Sequence, residues 1–485
     1  MVVAFLTGPV VSVLIVRRMD HVQFGELAIA TDAAGIAAVI ATFGLNVAVT
    51  QLAVSEGTAK GDDSIRGTIA TAVRVLPALT LATVPLLALE FSLFLAVPNL
   101  RHALVPLAAL IPIVLISPAL AVGQGAFQAL HWARGIVVRS SLRAVVVAVA
   151  TLVVLYALPH PDATEVAFVR GLGALLTVGV VLAPVVRMTR ESTHGSVALR
   201  RLLTLGLSFL VGGTFGVILT DFDVVTLGMF HGSRSTGLYA PAAALIALGV
   251  TVPSVMTPFF LPTATRLAAS GETTELGSLY RWSTRWLLAL SAPVVAVFIA
   301  TPSDVLKVVF GHDFSRLAPE LRVMCIGLVL FVVTGFNDIT LDAYGSARLM
   351  VIRSTASVAA MVLACFVLIP PFGILGAAWA TAAGFVTPNL LGSVMLRRRT
   401  GIGPLDKRLA TVMVAFAVGI GCAAVAAPRV PNSLGACAVA AAIASLVTWA
   451  TVLTVAGPGE RESIRRGIAA AFGRRPAEGA LVAPR

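Results

Sequence analysis

Arg74, Arg139, Arg143, Arg170 and Arg353 lie in stretches of sequence that are otherwise apolar for the length of a membrane span. A charge there is expensive, so each is a candidate for function. Arg74 falls about six residues, or roughly 9 Å, inside an expected helix over 68–96. Arg170 is about as deep in 163–186, from the opposite side of the bilayer. Arg139 and Arg143 are four residues apart and share a face of a helix over 138–158, while Arg353 opens one over 350–369. A guanidinium fork binds phosphate oxygens in pairs and stays charged when desolvated. Several of them around one cavity would suit a pyrophosphate-bearing substrate. The competing reading is that they snorkel to lipid headgroups or pair with acids. The acids are Asp32, deep in 24–52, Glu90 in 68–96, Asp221 and Asp223 in 200–230, and Asp338 with Asp342, four apart on one face of 318–345. Asp32, Asp223, Asp338 and Asp342 are the candidates to carry a coupling proton or sodium ion, or to neutralise an arginine. Asp221 and Asp223, two apart, point to different sides of their helix and cannot form one site alone.

The elements that must position these groups follow from composition. The chain has 485 residues, 58% hydrophobic and 12% charged, with a mean hydropathy of +0.95. A water-soluble fold of this length could not cover so much apolar surface. Apolar runs long enough to cross about 30 Å of hydrocarbon recur from one end to the other. We expect an all-α polytopic membrane protein of about fourteen helices: 1–17, 24–52, 68–96, 103–130, 138–158, 163–186, 200–230, 237–264, 283–302, 318–345, 350–369, 373–396, 409–428 and 433–456. No basic leader with a small-residue cleavage site is expected at the start.

The net charge of +12 does not indicate nucleic acid, because the basic residues sit at the ends of apolar segments. Twenty-five of the 35 are assigned to the connections after even-numbered helices, the adjoining helix ends included, or to the tail, against seven after odd-numbered ones, with Arg74, Arg170 and Arg322 left inside helices. The positive-inside rule then puts both termini in the cytoplasm.

A near-echo suggests doubling. "QFGELAIATDAAG" from Gln23 returns as "STGLYAPAAALIA" from Ser235, Gly25 aligning with Gly237 at an offset of 212 residues. Helix starts in the first six segments recur at that offset in five cases of six. Six helices per copy gives two lobes of one orientation, related by a pseudo-twofold axis along the membrane normal, plus two C-terminal helices. The expected organisation is an N-terminal lobe over 1–187, a cytoplasmic linker over 188–201, a C-terminal lobe over 202–397, two helices within 398–456, and a basic cytoplasmic tail over 457–485, held near anionic headgroups.

Other chemistry has no foothold. None of the three lysines sits in a GxxxxGK[ST] loop, and HExxH and GxSxG are missing. The outward connections are short, so an enzyme is not expected. The four cysteines fall in apolar runs without a CxxC or histidine partner and read as small hydrophobes, so neither metal nor cofactor is expected.

Four segments carry a family resemblance. "DFDVVTLGMFHGSRSTGLYAPAAAL" (Asp221 to Leu245) resembles the helix 7–8 signature of bacterial polysaccharide flippases, in which an Asp, best matched by Asp223, precedes an LG pair, a turn and a G-[LI]-Y-[SA]-x-A run. "VLKVVFGHDFSRLAPELRVM", "LIPPFGILGAAWATAAG" and "RRMDHVQFGELAIATDAAG" resemble further segments of the same proteins. The chain is thus similar to the Wzx-like polysaccharide/O-antigen flippase family, in the MATE/MOP exporter superfamily. The resemblance implies a bacterial cytoplasmic-membrane protein that passes a polyprenyl-pyrophosphate-linked oligosaccharide across the membrane by alternating access. Its partners would be that substrate, membrane lipids and polysaccharide polymerase machinery, with no nucleic acid. The matched motifs carry no agreed substrate ligands, so the arginine assignments rest on the residues alone. A cation-coupled multidrug exporter and a lipid II-type flippase remain open on the same fold.

Overall fold

The computed structural model describes residues 2–60, 62–130, 133–190, 199–344, 347–403 and 406–455. Its order is α1 (Val2–Arg18), α2 (His21–Thr42), α3 (Leu45–Lys60), α4 (Asp62–Ala96), α5 (Leu104–Ala129), α6 (Ala133–Ala157), α7 (Ala163–Arg190), α8 (Leu199–Ser270), α9 (Thr273–Ala300), α10 (Pro302–Val309), α11 (Ala318–Thr334), α12 (Asn337–Ala343), α13 (Ala347–Thr400), α14 (Lys407–Ala426) and α15 (Ser433–Val455). The described residues hold no strand, and ten of their helices are long and apolar enough to cross a membrane. In a medium without water every backbone polar group needs an internal partner, and a helix supplies one locally.

Glycines set the breaks. α8 is interrupted at Gly232 (φ 75°) and α13 at Gly373 (φ 56°). Those left-handed conformations cost glycine little. The carbonyls freed at each break find donors. Asn99 Nδ2 donates to Met229 O at 3.0 Å and Phe230 O at 3.3 Å, and the His231 ring donates from Nε2 to Ile369 O at 2.9 Å. Both breaks fall where the sequence separates two expected helices.

Two other breaks lie inside expected helices. The segment read as 24–52 is divided between α2 and α3 at Phe43 (φ 52°) and Gly44 (φ 64°). The segment read as 318–345 is divided at Gly335 (φ 63°), against which Thr284 packs. Apolar periodicity runs straight through both points, and only the neighbouring helix makes the break necessary.

By packing, the chain falls into two units whose borders lie inside α8, in the middle of α10, in α11, ahead of α13 and within α13. The first, 1–248 with 306–327 and 346–391, has two apolar cores. One gathers Leu27, Ile29, Leu107, Leu110, Val114 and Val166; the other gathers Leu45, Val49, Ile69, Val122, Phe127 and Leu202. The second unit contains α9, α14 and α15, where Ala436, Ala440 and Ala444 are buried every fourth residue. A methyl on Gly419 would meet Ala444 Cα at 3.2 Å, so small side chains let these backbones approach. In the same unit Tyr280 donates to Thr334 O at 2.5 Å and Arg281 pairs with Asp406 at 3.3 Å. The expected linker from residue 191 to 198 and the tail from 456 onward lie outside the described residues.

Candidate functional site

Within the first unit, α2 and α8 touch closely at two places. A methyl on Gly25 would lie 1.8 Å from Ser233 O, and one on Gly237 would lie 1.8 Å from His21 O. Each contact is the other's counterpart at the 212-residue offset. Toward the far end of α2, a methyl on Gly44 would lie 2.4 Å from Gly206 O, and one on Gly206 would lie 2.7 Å from Phe43 O. Beside the first of these crossings lies a cavity of about 210 Å³.

Its polar lining is Ser12, Thr31, Asp32, Arg170 and Asp221; the rest is apolar, including Phe24, Leu27, Val224, Ala244 and Phe310. Asp32 is eleven residues into α2, and Asp221 eleven residues before the break at Gly232. At 1.5 Å per residue they stand about 16 Å along their helices from the start of α2 and from that break. A methyl on Gly35 would meet Asp221 Oδ2 at 3.4 Å, which puts that carboxylate against α2.

Arg170, seven residues into α7, faces the same space. Asp32 and Arg170 act on one another electrostatically, and Asp32 also feels Asp221 and Asp223. Among the described residues no hydrogen bond or ion pair engages the Arg170 guanidinium directly. The Arg170 guanidinium and the Asp32 carboxylate both belong to side chains that line the cavity. Such a guanidinium can take a phosphate oxygen pair, and the two carboxylates beside it can take a cation or the hydroxyls of a sugar.

Asp223 is two residues on and turns the other way. It is 1% exposed, and its Oδ2 accepts from Thr381 Oγ1 at 2.5 Å and from the Tyr239 hydroxyl, while Oδ1 accepts from Val224 N at 2.9 Å. This network joins both halves of α8 to α13. Replacing Tyr239 by Phe removes one donor from a buried carboxylate. We expect Tyr239→Phe to lose about 0.6–2 kcal/mol, the range of hydrogen bonds within membrane bundles. Asp223→Ala should lose more, because it removes the acceptor of three hydrogen bonds at once, leaving the Tyr239 hydroxyl only that of Thr381. Thermal unfolding in detergent, with Thr381→Val as a third variant, checks that order.

The remaining candidates are not gathered here. Arg74 is exposed on α4 and does not line the cavity, so the expected ring of arginines is represented there, among the described side chains, by Arg170. Arg353 is buried in α13, 7% exposed, with partners of its own. Asp338 belongs to the second unit, beside Gly392. Arg139, Arg143 and Asp342 lie outside the residues whose side chains are described. The sequence reading did not single out Tyr239, Thr381 or Phe310. Tyr239 had a signal, the tyrosine of the G-[LI]-Y run, but its partner on α13 is 142 residues away.

The family model for polysaccharide biosynthesis proteins matches residues 1–268, more than half of the chain. A probable low-salt glycan biosynthesis flippase of Haloferax volcanii is 22% identical over 182 residues, 38% of this chain and 39% of that one. The match therefore spans about two-fifths of that relative's length. Among solved structures, the lipid II flippase MurJ in an inward closed conformation superposes with a TM-score of 0.72 at 12% identity, covering 95% of this chain and 98% of that one. An inward-facing multidrug resistance transporter of the MATE family and MOP superfamily gives 0.65 at 14% identity, covering 82% and 94%. At those identities the likeness is one of fold, and the fold is that of a multi-pass membrane protein.

Proposed function

This chain belongs to the polysaccharide biosynthesis protein family, and from that premise we propose that it is a flippase for a polyprenyl-pyrophosphate-linked oligosaccharide. The observation that carries the reading is the Arg170 guanidinium, which no hydrogen bond engages among the described residues and which lines a cavity beside the Gly25/Gly237 crossing. The pyrophosphate would take its fork, hydroxyls of the first sugar would meet Asp32 and Asp221, and the prenyl tail would stay in lipid. Movement about the crossings would expose the cavity to one side and then the other. Without a nucleotide-binding loop, the drive would come from a cation gradient acting through Asp32 or Asp223, or from removal of product by polymerase machinery outside. The chemistry would be transport without bond making, in a cytoplasmic membrane with both termini inside. The name of the Haloferax relative supports the substrate class.

One observation favours a second reading. Two carboxylates and one guanidinium give the described cavity more acid than base, which would also suit a cationic drug. The fold shared with a lipid II flippase keeps a third substrate in view. Expression in a host lacking its own oligosaccharide flippase tests the choice. Restored surface glycan supports the first reading. Unrestored glycan with acquired drug tolerance favours the second, and rescue of a host depleted of its lipid II flippase favours the third.

A further inference from the structure

A second hollow of about 250 Å³ adjoins the first. Its lining is polar, with Arg17, Asp20, His21, His312 and Asp313, and it shares two residues with the central cavity, Val16 and Phe310. Phe310 is 4% exposed, so its ring is part of the wall between the two spaces. That ring hangs on a turn. α10 stops at Val309, Gly311 takes φ 121°, and a tight 3-10 turn follows over His312–Leu317.

Side chains from α1 and α2 hold the turn down. Arg17 donates from Nε to Val309 O at 2.8 Å and from a terminal nitrogen to Val308 O, capping the carbonyl end of α10. His21 Nε2 stands 3.6 Å from Asp313 Oδ2, and its ring meets Phe314 edge-on at 5.0 Å. Phe314 in turn packs against Phe310 at 5.8 Å. The same His21 supplies the carbonyl at the Gly237 crossing. The turn and the helix crossing thus meet at one residue, through its side chain and its backbone carbonyl.

We propose that the Phe310–Leu317 turn is a plug across the outward exit of the cavity, and that the hollow behind Phe310 receives the sugar part of the headgroup as it leaves. This rests on the flippase reading and its inside-outside assignment. Carboxylates, imidazoles and a guanidinium alternate in the hollow, and this mixture suits hydroxyls, each of which donates and accepts. A purely basic hollow would instead have held phosphate. The headgroup would break the Arg17 and His21 ties, swing Phe310 aside and pass from a charged site to a mixed one.

The test uses the full chain with Cys325, Cys365, Cys422 and Cys437 replaced by serine or alanine, and one new thiol in the cavity, Thr31→Cys. Whole cells are treated with a membrane-impermeant maleimide. Phe310→Ala should speed labelling of that thiol by about tenfold or more, a shift of roughly 1.4 kcal/mol in the open population. Arg17→Gln, which leaves the ring in place and loosens its tie, should give a smaller rise in the same direction. Unchanged labelling in both variants, in protein that stays monodisperse, overturns the plug. Glycan display is read in parallel. His312→Ala, which leaves the Arg17 and His21 ties in place, should lower display several-fold with labelling unchanged, and full display in that variant removes the sugar role of the hollow. If the chain with native Phe310 restores no display at all, the flippase reading fails while the labelling arm still judges the plug.

Discussion

Arg170→Ala should cut surface glycan display about 10- to 100-fold at unchanged protein level. A charge-assisted hydrogen bond contributes roughly 1.5–3 kcal/mol, and each 1.4 kcal/mol is a factor of ten. The guanidinium is the one cation among the described residues that line the cavity, so no neighbour there takes over its charge. Arg170→Lys separates charge from geometry. An ammonium keeps the positive charge but not the planar fork, so display should recover only in part. A second consequence follows from Asp32, which interacts with Arg170 through space. Asp32→Asn combined with Arg170→Ala should be less harmful to stability than Arg170→Ala alone, since the single variant leaves a cavity carboxylate without its counter-charge. Quantitative lectin staining of whole cells, alongside thermal midpoints of purified protein, gives both readouts. Full display in Arg170→Ala would remove the residue from the substrate path.

The other large effect belongs to Gly25 and Gly237. A methyl at either lies 1.8 Å from a backbone oxygen of the opposite helix, closer than any real contact, and a backbone carbonyl cannot swing away as a side chain can. Gly25→Ala or Gly237→Ala must therefore push α2 and α8 apart at this crossing. Overpacking in a tight core costs about 1–3 kcal/mol or more, enough to change the occupancy of the closed arrangement by one or two orders of magnitude. We expect each variant to lose most display and to raise outside labelling of Thr31→Cys. Gly271, with no atom near enough to meet an added methyl, is the control. Alanine there strains a positive φ of 76° without touching the crossing. Should the two crossing variants behave like Gly271→Ala, the crossing is not an element of the transport cycle.

Much of this architecture is legible along the chain because a bilayer imposes simple rules. An apolar run of a given length has one economical conformation, so α5, α7, α14 and α15 fall where composition puts them, while α9 starts ten residues earlier than the expected 283–302. The breaks at Gly232 and Gly373 coincide with short polar or proline-containing interruptions. Those at Gly44 and Gly335 do not, since nothing in "ATFGLNVAV" distinguishes a bend from a straight small-residue stripe. Gly206 and Thr284 decide it, each far away in sequence.

The candidate charges divide the same way. That Asp32 and Arg170 are deep is a matter of counting residues from a helix end. That they face one cavity, while Arg74 lies exposed on α4 and Asp223 turns toward Tyr239 and Thr381, depends on how each helix is rotated about its axis. Helices rich in Ala, Gly and Val all round carry almost no amphipathic signal for that rotation, because lipid and protein interior are equally apolar. The sequence by itself determined a membrane chain of apolar helices, its family and the short list of charges worth testing. Tertiary structure alone decided which of those charges meet, where two glycines bring helices into contact, and that Phe310 lines two hollows at once.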